Sequence, residues 1–233
     1  MLGEQWLSGE LVAMKREIIQ TDDGSSTIYI PELDENYHSS HGAIQEAEHV
    51  FIQHGLKKME EKGLSSISIF EMGFGTGLNA FLTKIRASTP ILYVGIEAFP
   101  VSEGEVNSLN YAERIGGKHR SDFSAIHASK WSEFVEIDSQ FSLKKVHQKI
   151  ESYELDANFF DIIYFDAFGP RAQGDMWEID ILQKMYDGLK KGGALVTYCA
   201  RGQFKRDLKS LGFEVESLPG PPGKREMTRA WKI

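Results

Sequence analysis

The sequence predicts an α/β protein built on a mostly parallel sheet, and three stretches carry that expectation. Residues 67–78, I-S-I-F-E-M-G-F-G-T-G-L, read as a buried strand ending on Glu71, then a turn holding Gly73, Gly75 and Gly77. That turn opens a helix running on through Asn79, Phe81 and Leu82. Residues 91–97, I-L-Y-V-G-I-E, form a second strand ending on Glu97, and residues 160–166, F-D-I-I-Y-F-D, a third ending on Asp166. Near-continuous apolar runs of this kind suit parallel strands covered on both faces. Open α/β sheets bind ligands at the carboxyl ends of such strands, where all three carboxylates fall.

The remaining elements follow in order. Val12–Gln20 and Ser26–Ile30, split by T-D-D-G-S-S, predict a hairpin ahead of the core, ended by Pro31. Residues 1–40 are therefore expected to be a small β extension and residues 41–233 the main domain. An amphipathic helix should start near Ser39 or Ser40, with Ala43, Ala47, Val50, Phe51 and His54 on one face. It should stop at Gly55 or Gly63. Ser102–Arg114 reads as a helix, and Phe123–His127 and Phe141–Val146 as strands with Trp131 and Phe134 packed between them. Asp175 is placed to cap the helix that follows Trp177. A strand through Cys199, a helix over Arg201–Leu211 and two closing strands complete a seven-stranded sheet. Strands joined by a short loop run antiparallel, so the C-terminal strand should oppose the rest.

Composition narrows the class. The 233 residues are 41% hydrophobic and 26% charged, which suits one globular domain. No apolar run approaches the length of a membrane span, and the N-terminus lacks the basic and apolar regions of a secretory signal, so a cytoplasmic location is expected. A single cysteine, Cys199, rules out an internal disulfide framework, and the histidines at 38, 41, 49 and 54 lack metal-ligand spacing, so no metal is expected. The net charge of −8 is uneven: residues 201–233 carry +4 and the remainder −12. Such a basic segment on an acidic body suits RNA on one face, or a solvated helix beside a basic strand.

The glycine turn carries the chemistry. Glycines reach positive φ and leave no Cβ between backbone and ligand, while the helix behind them directs unpaired N–H groups at the turn. The dinucleotide spacing G-x-G-x-x-G fails, because its third glycine would fall at Leu78. Glu71 followed by three alternate glycines resembles the first motif of class I S-adenosylmethionine-dependent methyltransferases, with their Rossmann-like fold. Glu97, about twenty residues on, is where nucleotide-binding units place a carboxylate for two vicinal ribose hydroxyls.

Four stretches make the resemblance narrower: G-A-I-Q-E-A-E-H-V-F at 42–51, E-M-G-F-G-T-G-L-N at 71–79, F-D-A-F-G-P with D-M-W at 165–177, and G-K-R-E-M at 223–227. Together they resemble the methyltransferases of 5-methylaminomethyl-2-thiouridine biosynthesis in tRNA, over nearly the whole chain. The family's D-G-F-A-P stands here as D-A-F-G-P, and its adenine-side acidic residue is replaced near Lys149. The resemblance implies methyl transfer from S-adenosylmethionine to the amine of a 5-aminomethyl-(2-thio)uridine at the wobble position. Glu71, Gly73, Gly75, Gly77, Asn79, Glu97 and Asp166 would bind the cofactor, with Asp166 also orienting the amine and taking its proton.

The partner is then a tRNA anticodon loop, whose base can be splayed out and stacked on an aromatic face. Phe168, Pro170 and Trp177 are the candidates for that surface, and Arg171, Lys224 and Arg225 for phosphates. No flavin is expected, since the sequence ends without a G-x-G-x-x-G unit or room for the oxidoreductase half found in bifunctional relatives. Three other readings stay open: an aminopropyltransferase, a methyltransferase for another amine or protein, and a catalytically silent RNA-binding protein.

Overall fold

A computed structural model describes residues 14–233. Val12 and Ala13, at the start of the expected hairpin, lie outside the described residues, as does the N-terminal segment read above for a signal. Strands β1 (Glu17–Gln20), β2 (Ser26–Ile30) and β3 (Glu35–Asn36) form a small antiparallel sheet in that order. Its first turn is set by Asp23, whose carboxylate accepts from the Ser25 N–H at 2.9 Å and the Thr21 hydroxyl at 2.8 Å.

The next helix begins later than its serines suggest, at Ala43, where its first amides are met from the hairpin turn instead, Ala43 N–H by Ser25 Oγ at 3.2 Å and Gln45 N–H by Asp23 Oδ2 at 3.1 Å. It runs unbroken to Glu60, but Glu48–Leu56 is wound with wider, π-type turns. That winding changes which side chains face inward: Ile52, Leu56 and Met59 are buried, while His54 is half-exposed. Gly55 lies within the helix rather than ending it. A Cβ there would stand 3.1 Å from Tyr164 and Val196, so the missing side chain lets the helix lie close to the sheet.

The main sheet has eight strands: β4 (Ile67–Met72), β5 (Ile91–Glu97), β6 (Phe134–Asp138), β7 (Phe141–His147), β8 (Phe160–Phe165), β9 (Leu189–Thr197), β10 (Phe213–Pro219) and β11 (Glu226–Lys232). Their spatial order is β10-β11-β9-β8-β4-β5-β7-β6. Strands β7, β5, β4, β8 and β9 are parallel, and β11 runs against β9 as expected. Chain order reverses between β4 and β8, with β5 on one side of β4 and β8 on the other, which opens a crevice at their carboxyl ends.

Three local expectations are corrected here. Residues 123–127 are helical, within Arg120–Ala128, because Phe123 and Ile126 are buried at i, i+3 spacing. The eighth strand is β6, an edge hairpin partner of β7, so Phe134 stands 48% exposed, and Trp131 packs against Phe74 and His147 instead. The expected 102–114 helix is two short ones, Glu103–Asn107 and Tyr111–Arg114. Between them Asn110 turns to the small sheet, accepting from the Ser26 N–H at 2.8 Å.

The core lies on both faces of the sheet. Alternate residues of β8 show the division: Ile162 and Tyr164 join the long helix on one face, Ile163 and Phe165 the helices Ile179–Gly188 and Gly202–Ser210 on the other. Among the described residues no helix is long and apolar enough to cross a membrane.

Candidate active site

A cavity of about 520 Å³ opens over the carboxyl ends of β4, β5 and β8. Gly73, Gly75, Asn79, Glu97, Asp166 and Phe168 all line it. Glu71 and Gly77 stand just behind this wall: Glu71 is fully buried at the end of β4, and Gly77 caps the helix Leu78–Arg86.

The glycines are needed where they are. Gly73 has φ +90° and a Cβ there would lie 2.5 Å from the backbone oxygen of Asp166; Gly75 has φ +49° and faces the Tyr37 ring at 3.1 Å. Such positive φ values disfavour any residue with a side chain. The turn is also held to the next strand, since the Gly75 N–H donates to Glu97 Oε2 at 2.8 Å. The Phe99 N–H donates to Oε1 of the same carboxylate, also at 2.8 Å. Glu97 is thus fixed in direction, with lone pairs still available to two vicinal hydroxyls.

Asn79 ties the other two carboxyls together. Its side-chain nitrogen donates to Glu71 Oε1 at 2.9 Å and to Asp166 Oδ2 at 2.8 Å. Burial pushes Asp166 up to about 7, with the Glu46 charge adding to the rise and the Asn79 bond and the Lys224 charge opposing it. Burial likewise holds Glu71 well above the usual carboxylate range, and the Asp166 charge adds to it. Beside the turn the buried Glu71 carboxyl faces the Tyr93 hydroxyl, and buried Asn79 Oδ1 has no hydrogen-bond partner among the described residues. Glycines without Cβ, a carboxylate aimed by two backbone amides and an unpartnered acceptor on Asn79 suit a cationic nucleoside ligand such as S-adenosylmethionine.

The small sheet supplies a wall of the cavity that sequence reasoning did not place. Ile30, Leu33, Tyr37 and His38 line it, together with Arg16. Arg16 donates to the carbonyls of Phe99 at 2.7 Å and Pro100 at 3.2 Å, just beyond Glu97. His38 bridges Thr27 of β2 and Thr76 of the glycine turn, at 3.0 and 3.3 Å. Burial lowers its pKa to about 4, so it is a neutral hydrogen-bonding ring. Arg16 carried no signal, since the Phe99 and Pro100 carbonyls and the Glu105 carboxylate that it meets lie 83 to 89 positions away.

On the acceptor side, Phe168 stands edge-on to Tyr37 with centroids 5.0 Å apart, and Pro170 is partly exposed nearby. Trp177 does not offer a stacking face. It is buried against Phe165 and Phe204, and its indole N–H donates to the Phe168 carbonyl at 2.8 Å, so it braces Phe168 from behind. Asp175 caps nothing; the helix after Trp177 starts at Ile179, preceded by Glu178. Arg171 is exposed and pairs loosely with Glu35 at 3.4 Å, and Arg225 is exposed. Lys224 turns inward instead: its ammonium binds Glu46 and lies 3.8 Å from the centre of the Tyr198 ring. Part of the basic C-terminal segment is paired within the protein, Arg229 with Glu216 and Lys205 with Glu226, while Arg201, Arg206, Lys209 and Arg225 are exposed. Among the described residues no cluster of His, Cys, Asp or Glu could hold a metal ion.

A mostly parallel sheet with an antiparallel C-terminal strand, and a glycine cradle opening between Glu97 and Asp166, is the Rossmann-like fold of S-adenosylmethionine-dependent methyltransferases. Residues 119–233 match the family model described as "S-adenosyl-L-methionine-dependent methyltransferase". The chain is homologous to proteins named tRNA 5-methylaminomethyl-2-thiouridine biosynthesis bifunctional protein MnmC. That of Cupriavidus metallidurans is 30% identical over 92% of this chain, and that of Hydrogenovibrio crunogenus 27% identical over 91%. The chain spans about a third of the length of these relatives, 33% in both cases. Among solved structures, MNMC2 from Aquifex aeolicus superposes with a TM-score of 0.76 at 24% identity, covering 96% of this chain and 72% of that one. Spermidine synthase from Thermotoga maritima follows at 0.54 and 16% identity, over 94% and 75% of the two chains. Both likenesses concern the fold.

Proposed function

We propose that this protein methylates the amine of a 5-aminomethyl-(2-thio)uridine at the wobble position of tRNA, giving the 5-methylaminomethyl base. The observation that carries this reading is Asp166: it ends β8, opens into the cavity of the glycine turn and Glu97, and is held near 7 by burial. The names of the homologous MnmC proteins supply the substrate class.

Bound S-adenosylmethionine supplies a methyl carbon activated by a sulfonium. Gly73, Gly75, Asn79 and Glu97 would hold it, with Glu71 beneath and the β extension within residues 1–40 as a cover. Displacement at that carbon by the lone pair of the acceptor nitrogen would release a neutral thioether and leave an extra proton on the nitrogen, which a residue of this chain would have to take. An ionised Asp166 orients the amine beforehand and takes that proton, a role worth roughly 10²–10⁴ in rate. Holding nitrogen and methyl in line within about 3–3.5 Å supplies much of the rest. Phe168, braced by Trp177, offers a ring on which an anticodon base can stack, beside Pro170. Arg171 and Arg225 are the exposed cations placed for phosphates.

The test compares two synthetic anticodon stem-loops, one with 5-aminomethyl-2-thiouridine and one with plain uridine at the wobble position. Methyl transfer to the first alone is expected. Equal transfer to both, or to neither while the cofactor binds, would discard the substrate assignment.

A further inference from the structure

Lys224 sits where a phosphate contact should not be. It follows the P-G-P-P-G turn between β10 and β11, yet its side chain runs inward. Its ammonium is bound by Glu46, a carboxylate itself buried and fixed by the Ser39 N–H at 2.7 Å. The Tyr198 ring lies beneath the ammonium at 3.8 Å, and the Tyr198 hydroxyl donates at 2.8 Å to the carbonyl of Ala167, the residue after Asp166. A continuous set of contacts therefore joins the long helix, the closing loop and the end of β9 to the backbone carbonyl of the residue that follows Asp166.

We infer that Lys224 and Glu46 form a charge pair that sets the protonation balance of the methyl-acceptor subsite, Lys224 keeping the base ionised and the acceptor amine neutral and Glu46 acting against it. This rests on the amine-methylating reading above. The chemistry needs both conditions at once. An amine in its ammonium form has no lone pair to offer, and a protonated Asp166 cannot take a proton. A fixed cation near the reacting nitrogen favours the neutral amine and the charged carboxylate together, as cationic neighbours do in other amine-activating sites. The Lys224 ammonium touches Glu46 from the long helix and the Tyr198 ring after β9, and its charge is felt at Asp166 after β8, Cys199 after β9 and His38 in the loop after β3. Burial keeps the His38 ring neutral and the Tyr198 hydroxyl and Cys199 thiol protonated. In this arrangement the Glu46 charge raises Asp166 and the Lys224 charge lowers it.

Lys224 is on this account a positioning residue, acting through Asp166 and the amine. The experiment is a pH profile of kcat/KM for methyl transfer to tRNA carrying the aminomethyl base. It compares the wild type with Lys224→Met, Lys224→Arg, Glu46→Gln and the double variant E46Q/K224M. Lys224→Met should move the acid limb up by about one pH unit, a roughly fivefold loss at pH 7 that nears about tenfold below pH 6 and is regained at high pH, on the scale of a single nearby charge. Glu46→Gln should move it the other way, Lys224→Arg should keep it, and the double variant should return it near the wild-type position. Opposite shifts cannot arise from general damage to the fold. A uniform fall in rate with no movement of the limb would overturn the inference. So would a Lys224→Met effect confined to KM with a flatter salt dependence, the signature of a phosphate contact. If the wild type transfers no methyl to the amine, the substrate reading falls and takes this inference with it. If it transfers with limbs unmoved by the substitutions, only the inference falls.

Discussion

The side-chain nitrogen of Asn79 donates to Oδ2 of Asp166 at 2.8 Å, and the same nitrogen reaches Glu71 Oε1 at 2.9 Å. One residue of the helix after the glycine turn therefore orients both the candidate base and the carboxyl beneath the cofactor cradle. Because this bond favours the charged form of Asp166, Asn79→Ala should raise the pKa of that carboxyl and move the acid limb of activity upward. It should also cost about 1–3 kcal/mol of stability, since the buried Glu71 loses its partner. Denaturant unfolding together with the pH profile measures both effects.

Asp166→Asn should leave S-adenosylmethionine binding within a few-fold of wild type while cutting turnover by roughly 10²–10⁴. In the wild type, turnover should fall about tenfold per pH unit below about 7, where Asp166 takes up a proton, and the variant should lose that limb. Calorimetric titration and single-turnover kinetics separate binding from chemistry.

Gly73→Ala probes the cradle. A Cβ there would stand 2.5 Å from the Asp166 backbone oxygen, at φ +90°. Backbone strain of this kind costs about 1–3 kcal/mol, and the displaced loop should lose at least tenfold in cofactor affinity. A variant that binds the cofactor as tightly as wild type would contradict the placement of the site.

Glu71 and Asp166 leave a mark on stability as well. Both carboxyls are raised in the folded protein, so their contribution is fully present below the unfolded carboxylate range near 4. It is lost as pH rises, for Asp166 until about pH 7, because the unfolded chain ionises first. Glu71→Gln should remove part of that decline. The melting temperature of the variant, relative to wild type, should therefore rise between pH 4 and pH 7; a gap that stays flat would contradict the burial of a protonated Glu71.

The sheet and the cofactor half of the site were legible because their signals are local. Glu71, the glycines and Asn79 lie within nine residues, and Glu97 and Asp166 end apolar strands, so strand patterning alone brings them to one edge. The acceptor half was less legible. Trp177 reads as an aromatic platform in sequence, but its indole fills the gap between β8 and the helix at 202–210, a packing decision made by Phe165 and Phe204. Lys224 reads as a surface cation, and only the approach of Glu46, 178 positions earlier, turns it inward. Residues 123–127 alternate weakly enough to pass for a strand, yet Phe81 and Tyr111 offer partners to Phe123 that only a helix can meet together with Ile126. The π-wound segment was not visible at all, and the close seat of Gly55 on Tyr164 and Val196 within it depends on residues far along the chain.

The most direct measurement is nucleoside analysis of tRNA, taken from cells lacking the modification, after incubation with the protein and methyl-labelled S-adenosylmethionine. The account predicts label on the amine carbon of 5-methylaminomethyl-2-thiouridine, abolished by Asp166→Asn. Label on any other nucleoside, or on the same one at an undiminished rate in the variant, would contradict it.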